Sequence, residues 1–132
     1  FFEQLIAKSR VQFILYDADD LHTLTSLVDQ EIIQTESLEV LYVLGRYSAN
    51  QESTPDQLDP FLAVRDELPA QLKPAGEMIC AFGKGQIPCL LRAASEGIDL
   101  RIGFENGIWL PDGQIAEDNE ALVRTLVDLL PA

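Results

Sequence analysis

Histidine, cysteine and cationic side chains are all scarce in this chain. Among 132 residues there are one histidine, two cysteines and nine Lys plus Arg against 22 Asp plus Glu, for a formal net charge of −13. A surface that negative repels phosphate backbones and anionic headgroups at long range, so nucleic acid and membrane surfaces are excluded as partners. No apolar run approaches the ~18 residues that span a bilayer, and the N-terminus lacks the basic, apolar, small-residue order of a signal peptide. The chain is therefore expected in the cytoplasm. Cys80 and Cys89 fall on predicted strand and helix positions, which reads as small buried hydrophobes in a reducing compartment and not as a disulfide. No Gly-x-Ser-x-Gly elbow and no Cys-x-x-Cys occurs, so nucleophilic catalysis from this chain alone has no support. A catalytic zinc needs about three protein ligands; the single histidine, His22, starts a helix and reads as a solvated residue.

What is present is a globular composition. Apolar residues make up 47% and charged residues 23%, enough apolar surface to offset the entropy of ordering the chain. The length fits one domain. The chain opens Phe1-Phe2-Glu3, without methionine and inside what reads as a helix over 1–8, so a preceding segment is expected. Four strand-then-helix units follow. VQFILY (11–16) is nearly continuous in apolar residues, as a strand buried on both faces should be, and leads to a helix over 21–33 behind an N-cap at Asp19 or Asp20. LEVLYVLG (38–45) precedes a helix over 58–68, with Thr54 before Pro55 as its start signal. EMICAFG (77–83) pairs with a helix over 87–97, and IDLRIGFEN (98–106) with a helix over 116–130. Short connections and right-handed crossovers lay the four strands parallel, an α/β architecture. It is either a small open doubly wound sheet or a sector of a (β/α)8 barrel.

In α/β folds the site lies at the carboxyl ends of the strands. The first strand ends in Asp17, Asp19 and Asp20, of which the last two read as helix caps. The third ends in Gly83-Lys84-Gly85, where backbone amides and an ammonium converge on a helix N-terminus, a place suited to a phosphate or carboxylate and equally to a tight turn. Along the fourth, Arg101, Gly103 and Glu105 alternate with Ile102 and Phe104, so an extended strand turns its polar set to one face. Arg101 and Glu105 then stand about 13 Å apart, too far for a direct pair. Glu105 is open to three roles: metal ligand, general base or ion-pair partner. Tyr16, Tyr42, Tyr47 and Trp109 call for no more than core or rim packing.

The run GKGQIPCLLRAASEGIDLRIGFENGIWLPDGQIAEDNEALV (83–123) resembles the C-terminal part of the β-keto acid cleavage enzymes, typified by 3-keto-5-aminohexanoate cleavage enzyme, and RIGFEN is the specific part of the likeness. Upstream, FILYDADDL (13–21) and LYVLG (41–45) look like that family's fifth and sixth strands. The resemblance implies a (β/α)8 barrel of which 1–132 supplies a single C-terminal half, units five to eight, with the N-terminal half absent. It implies a divalent metal, usually zinc, held by Glu105 and by a His-x-His pair that this chain does not contain. It also implies condensation of a β-keto acid with acetyl-CoA to release acetoacetate and a new acyl-CoA, the metal acting as a Lewis acid. Arg101 matches the arginine that orients or activates the substrate. Where the family often has an acidic residue after the metal-binding glutamate, this chain has Asn106, which cannot be a base and is read as a substrate contact. Gly83, Lys84 and Gly85 join it as substrate-binding candidates. The fragment alone is expected to be inactive, and to pair with the N-terminal half or with copies of itself. The alternatives are a non-enzymatic flavodoxin-like binding or signalling module, suggested by length and the acidic cluster, and a purely structural subunit.

Overall fold

The computed structural model describes residues 8–33 and 38–131, so the helix read over 1–8 lies, except for Lys8, outside the described residues. The elements alternate as strand and helix: β1 (Gln12–Leu15), α1 (Ala18–Asp29), β2 (Glu39–Leu44), α2 (Asp59–Glu67), β3 (Gly76–Ala81), α3 (Gln86–Ser95), β4 (Asp99–Leu100) and α4 (Asn119–Leu129). Short 3₁₀ turns over Pro55–Leu58 and Gly83–Gly85 lead into α2 and α3. The four strands form one parallel sheet in the order β1-β2-β3-β4. Among the described residues no helix is long and apolar enough to cross a membrane.

The side-chain alternation of the central strands separates two faces. Val40, Tyr42 and Leu44 of β2 and Ile79 and Ala81 of β3 pack with Leu21 and Leu24 of α1, Phe61 and Leu62 of α2, Leu90 and Ala93 of α3, and Leu122 and Leu126 of α4. Leu41 and Val43 of β2, with Cys80, Met78 and Phe82, form a second, smaller cluster made of strand residues and their immediate extension. All four helices therefore cover one face of the sheet. A doubly wound sheet places helices on both faces and reverses strand order at a switch point, and neither feature occurs among the described residues. Helices on one side of a consecutively ordered parallel sheet are what a sector of a barrel wall would show.

Two expectations change here. β1 is not buried on both faces: Ile14 is 51% exposed and only Leu15 of its four residues is buried, because among the described residues no helix covers the face that Ile14 occupies. The N-cap of α1 is Asp17, not Asp19 or Asp20. Asp17 Oδ1 accepts from the Asp20 amide at 2.9 Å, and Asp20 Oδ2 reaches back to accept from the Tyr16 amide at 2.8 Å. Three clustered aspartates leave the cap position ambiguous, and the first one wins because its backbone is extended while Asp19 and Asp20 already lie within the helix. Thr54 starts the 3₁₀ turn that feeds α2, as its position before Pro55 predicts.

Tyr42 is fully buried against Phe61, ring centroids 4.7 Å apart, and its hydroxyl has no hydrogen-bond partner among the described residues. Burial, reinforced by the Glu77 charge, pushes its phenol above the ordinary value. A buried hydroxyl without a partner carries its desolvation cost uncompensated. Tyr42→Phe is therefore expected to raise the unfolding free energy by about 1 kcal/mol, read from urea denaturation; a loss of that size would mean that the hydroxyl is satisfied.

Candidate functional site

The sheet's carboxyl edge is built most densely where β3 and β4 end. The last ladder bond runs from the Arg101 amide to Ile79 O at 2.9 Å. Beyond it the chain does not continue as the strand predicted over 98–106; it bends, with the amides of Asn106 and Gly107 both donating to Gly103 O at 3.0 and 3.2 Å. Two side chains hold this turn from outside. Gln86, the first residue of α3 and 1% exposed, accepts from the Gly103 amide through Oε1 at 3.2 Å and donates through Nε2 to Gly107 O at 2.9 Å. Asn119, at the start of α4, accepts from the Phe104 amide at 2.9 Å. The helices behind β3 and β4 thus fix the loop between them.

That bend overturns the spacing expected of an extended strand. Arg101 Nη2 meets Glu105 Oε2 at 2.6 Å, an ion pair four residues apart, with 42% and 71% of the two side chains exposed. The residues that an extended strand would hold apart are here in direct contact. Alternation no longer assigns faces past Leu100: Phe104 is exposed, while Ile102 packs against the main core.

Asn106, next in the turn, is buried at 6% exposure, and its Oδ1 has no partner among the described residues. Its carbonyl accepts from the Gly83 amide at 2.9 Å, tying the β4 turn to the end of β3. Beneath it lies Cys80. Burial pushes the Cys80 thiol up; the Arg101 charge and the Asn106 side-chain hydrogen bond pull it down, and the Glu105 charge raises it further. Both cysteines are free and buried, as read.

The Gly83-Lys84-Gly85 turn does gather donors at the start of α3, and the protein fills them itself. The Lys84 amide donates to Glu52 Oε2 at 2.8 Å. Gly83 sits at φ +77°, and a Cβ there would run into the Glu52 carboxylate. A Cβ on Gly85 would overlap Ser53 O, so the segment carrying Glu52 and Ser53 lies directly on the turn. Ser53 anchors it by donating to Phe82 O from its amide at 3.0 Å and from its hydroxyl at 2.7 Å. The Lys84 ammonium lies 5.9 Å from the centre of the Trp109 ring. The structure so brings together Arg101, Glu105, Asn106 and the Gly83–Gly85 turn at one end of the sheet. Sequence reading missed Gln86 and Glu52: a glutamine opening an apolar helix marks its clamp only weakly, and nothing local to Glu52 announces a partner 32 residues away.

As to metal, no group of three or more His, Cys, Asp and Glu gathers among the described residues. Glu105 offers one exposed carboxylate with one oxygen on Arg101. The residues present fit one ligand position and no more.

Comparison with known proteins gives a consistent result. The family described as beta-keto acid cleavage enzyme matches residues 4–132. A relative named 3,5-dioxohexanoate:acetyl-CoA acetone transferase, from Paraburkholderia graminis (strain ATCC 700544 / DSM 17151 / LMG 18924 / NCIMB 13744 / C4D1M), is 28% identical over 120 residues. The alignment covers 89% of this chain and 37% of that protein, so the chain spans little more than a third of the relative's length.

Two stability measurements separate scaffold from opening. Gln86→Leu leaves the Gly103 amide and Gly107 carbonyl without their buried partner and is expected to cost about 1–3 kcal/mol. Glu105→Gln breaks only an exposed pair, with an expected change below about 1 kcal/mol. Urea denaturation of both variants checks this; equal losses would remove the distinction.

Proposed function

The chain belongs to the beta-keto acid cleavage enzyme family, and from that premise we propose that its 132 residues form the C-terminal half, units five to eight, of a (β/α)8 barrel whose first four units lie outside these residues. The proposed reaction joins a β-keto acid with acetyl-CoA and releases acetoacetate and a new acyl-CoA. The fragment alone is inactive, works in the cytoplasm, and pairs with the other half or with further copies. The share of the relative that it spans and the helix-free face of its sheet support this reading.

The observation that carries it is the Arg101–Glu105 pair at the carboxyl edge of a parallel sheet. A guanidinium presents planar paired donors that match a carboxylate, so Arg101 holds and orients the keto acid. Glu105 contributes one ligand to a divalent metal, zinc by resemblance, and the remaining ligands come from the other half. When bound, the metal would supply Lewis-acid polarisation of the substrate's oxygen. Asn106 Oδ1, buried and unpartnered among the described residues, is left for a substrate contact. At the Gly83–Gly85 turn the Lys84 ammonium, beside Trp109, is left to serve the substrate's anionic end, because the Gly83 amide is spent on Asn106 O and the Lys84 amide on Glu52.

The test pairs the chain with the first four βα units of the Paraburkholderia graminis relative and follows acetoacetate formation from a β-keto acid and acetyl-CoA. The chain alone is expected to give none and the pair to turn over. Glu105→Gln is expected to lower the rate roughly 100-fold or more, since even groups behind a metal ligand are worth roughly 10–100-fold. Undiminished turnover and metal content in Glu105→Gln would overturn the assignment.

A further inference from the structure

A second opening lies at the carboxyl ends of β1 and β2, away from the Arg101–Glu105 pair. It is a cavity of about 300 Å³ with Val43 and Phe61 in its lining and Tyr16, Arg46 and Tyr47 at its mouth. That volume is at the small end of ligand sites, about 300–1,000 Å³, and suits a ring system better than a whole extended cofactor. Tyr47 is 79% exposed and Tyr16 40% exposed, with ring centroids 5.1 Å apart and planes tilted by 56°. Neither ring is needed to fill the core. Two aromatic rings held against each other beside a cavity present a rigid, amphipathic surface, of the kind on which nucleobases stack.

Arg46 gives that surface a charge. Its guanidinium lies 5.4 Å from the centre of the Phe82 ring, just past the end of β3. It therefore stands between the tyrosines and the β4 turn. In a chain with 22 acidic and nine basic residues, a cation in that place is a specific invitation to an anion, and arginine suits phosphate. Asp17 also lines the cavity, but one of its oxygens is committed to the Asp20 amide at the start of α1, where the helix dipole offsets part of its charge.

The geometry points to this cavity as the seat of the adenosine phosphate end of a coenzyme A thioester, with adenine on Tyr47 and Tyr16 and phosphate on Arg46. The inference rests on the proposed function for the identity of the thioester. Strands in a sheet are spaced by about 4.8 Å, so the ends of β1 and β2 stand roughly 10–14 Å from that of β4. A pantetheine arm extended past Arg46 spans that gap and delivers the acyl sulfur to the Arg101–Glu105 opening. The nucleotide supplies binding energy remote from the reacting bond.

Calorimetric titration of the 132-residue chain with coenzyme A, adenosine 3′,5′-bisphosphate and pantetheine tests this without requiring turnover. Coenzyme A and the bisphosphate are expected to bind and compete, and pantetheine to bind at least about tenfold more weakly, since it lacks the ring that stacks. Tyr47→Ala and Arg46→Gln are each expected to weaken bisphosphate binding about tenfold. Both side chains are exposed, so circular dichroism should show the fold unchanged. Coenzyme A bound with unchanged affinity by both variants, or pantetheine bound as tightly as coenzyme A, overturns the cavity assignment and leaves the proposed reaction standing. Absence of any bisphosphate binding to the unmodified chain overturns it as well. Bisphosphate binding that depends on Tyr47 and Arg46 supports the cavity even where the paired halves show no turnover, which would count against the reaction alone.

Discussion

The arrangement at the β4 turn hangs on one buried amide. Gln86 is enclosed by the protein, and both ends of its side chain are spent on backbone groups of Gly103 and Gly107. A buried primary amide is tolerable only when its donors and acceptor are matched, so the requirement works in both directions: the turn needs the glutamine, and the glutamine fixes the turn. Arg101 and Glu105 are themselves exposed, and their attraction is screened by water. Their closeness is a consequence of the bend that Gln86 holds, and only secondarily of their charges. The site is positioned by neutral hydrogen bonds from α3 and α4 and decorated with charge afterwards.

The architecture was legible because hydrophobic runs and turn signals act locally. VQFILY, LEVLYVLG and EMICAFG each carry the apolar, β-branched character of parallel strands, and each is a strand at its centre. The five-residue bend from Gly103 to Gly107 was not legible. RIGFEN alternates as a strand does, and alternation cannot register that Gln86 and Asn119 will take the backbone donors that a ladder would otherwise use. The same limit hid Glu52, whose partner is set by the path of the loop after β2. At Asp17 the difficulty was degeneracy: three aspartates within four positions offer nearly equal caps. The residue types of the site were readable, while the distance between two of them was inverted.

The disposition of helices bears on what kind of object this sheet is. Each crossover returns on the same side, so the apolar side chains of β2 divide into a set beneath helices and a set that meets only strand neighbours. Parallel sheets are ordinarily covered on both faces. Ile14, half in solvent, and Gln12, exposed, mark where cover is thinnest. Among the described residues the sheet thus has one face covered by helices and one that meets only strand neighbours.

The brevity of β4 has its own outcome. With only Asp99 and Leu100 in register with β3, that margin of the sheet offers a pairing strand fewer peptide groups than a longer flat margin would. The opposite margin, β1, runs for four residues and ends next to two tyrosines. Fibrillar self-association of this chain would thus be directed to one side of the sheet, and solubility engineering belongs at Gln12 and Ile14.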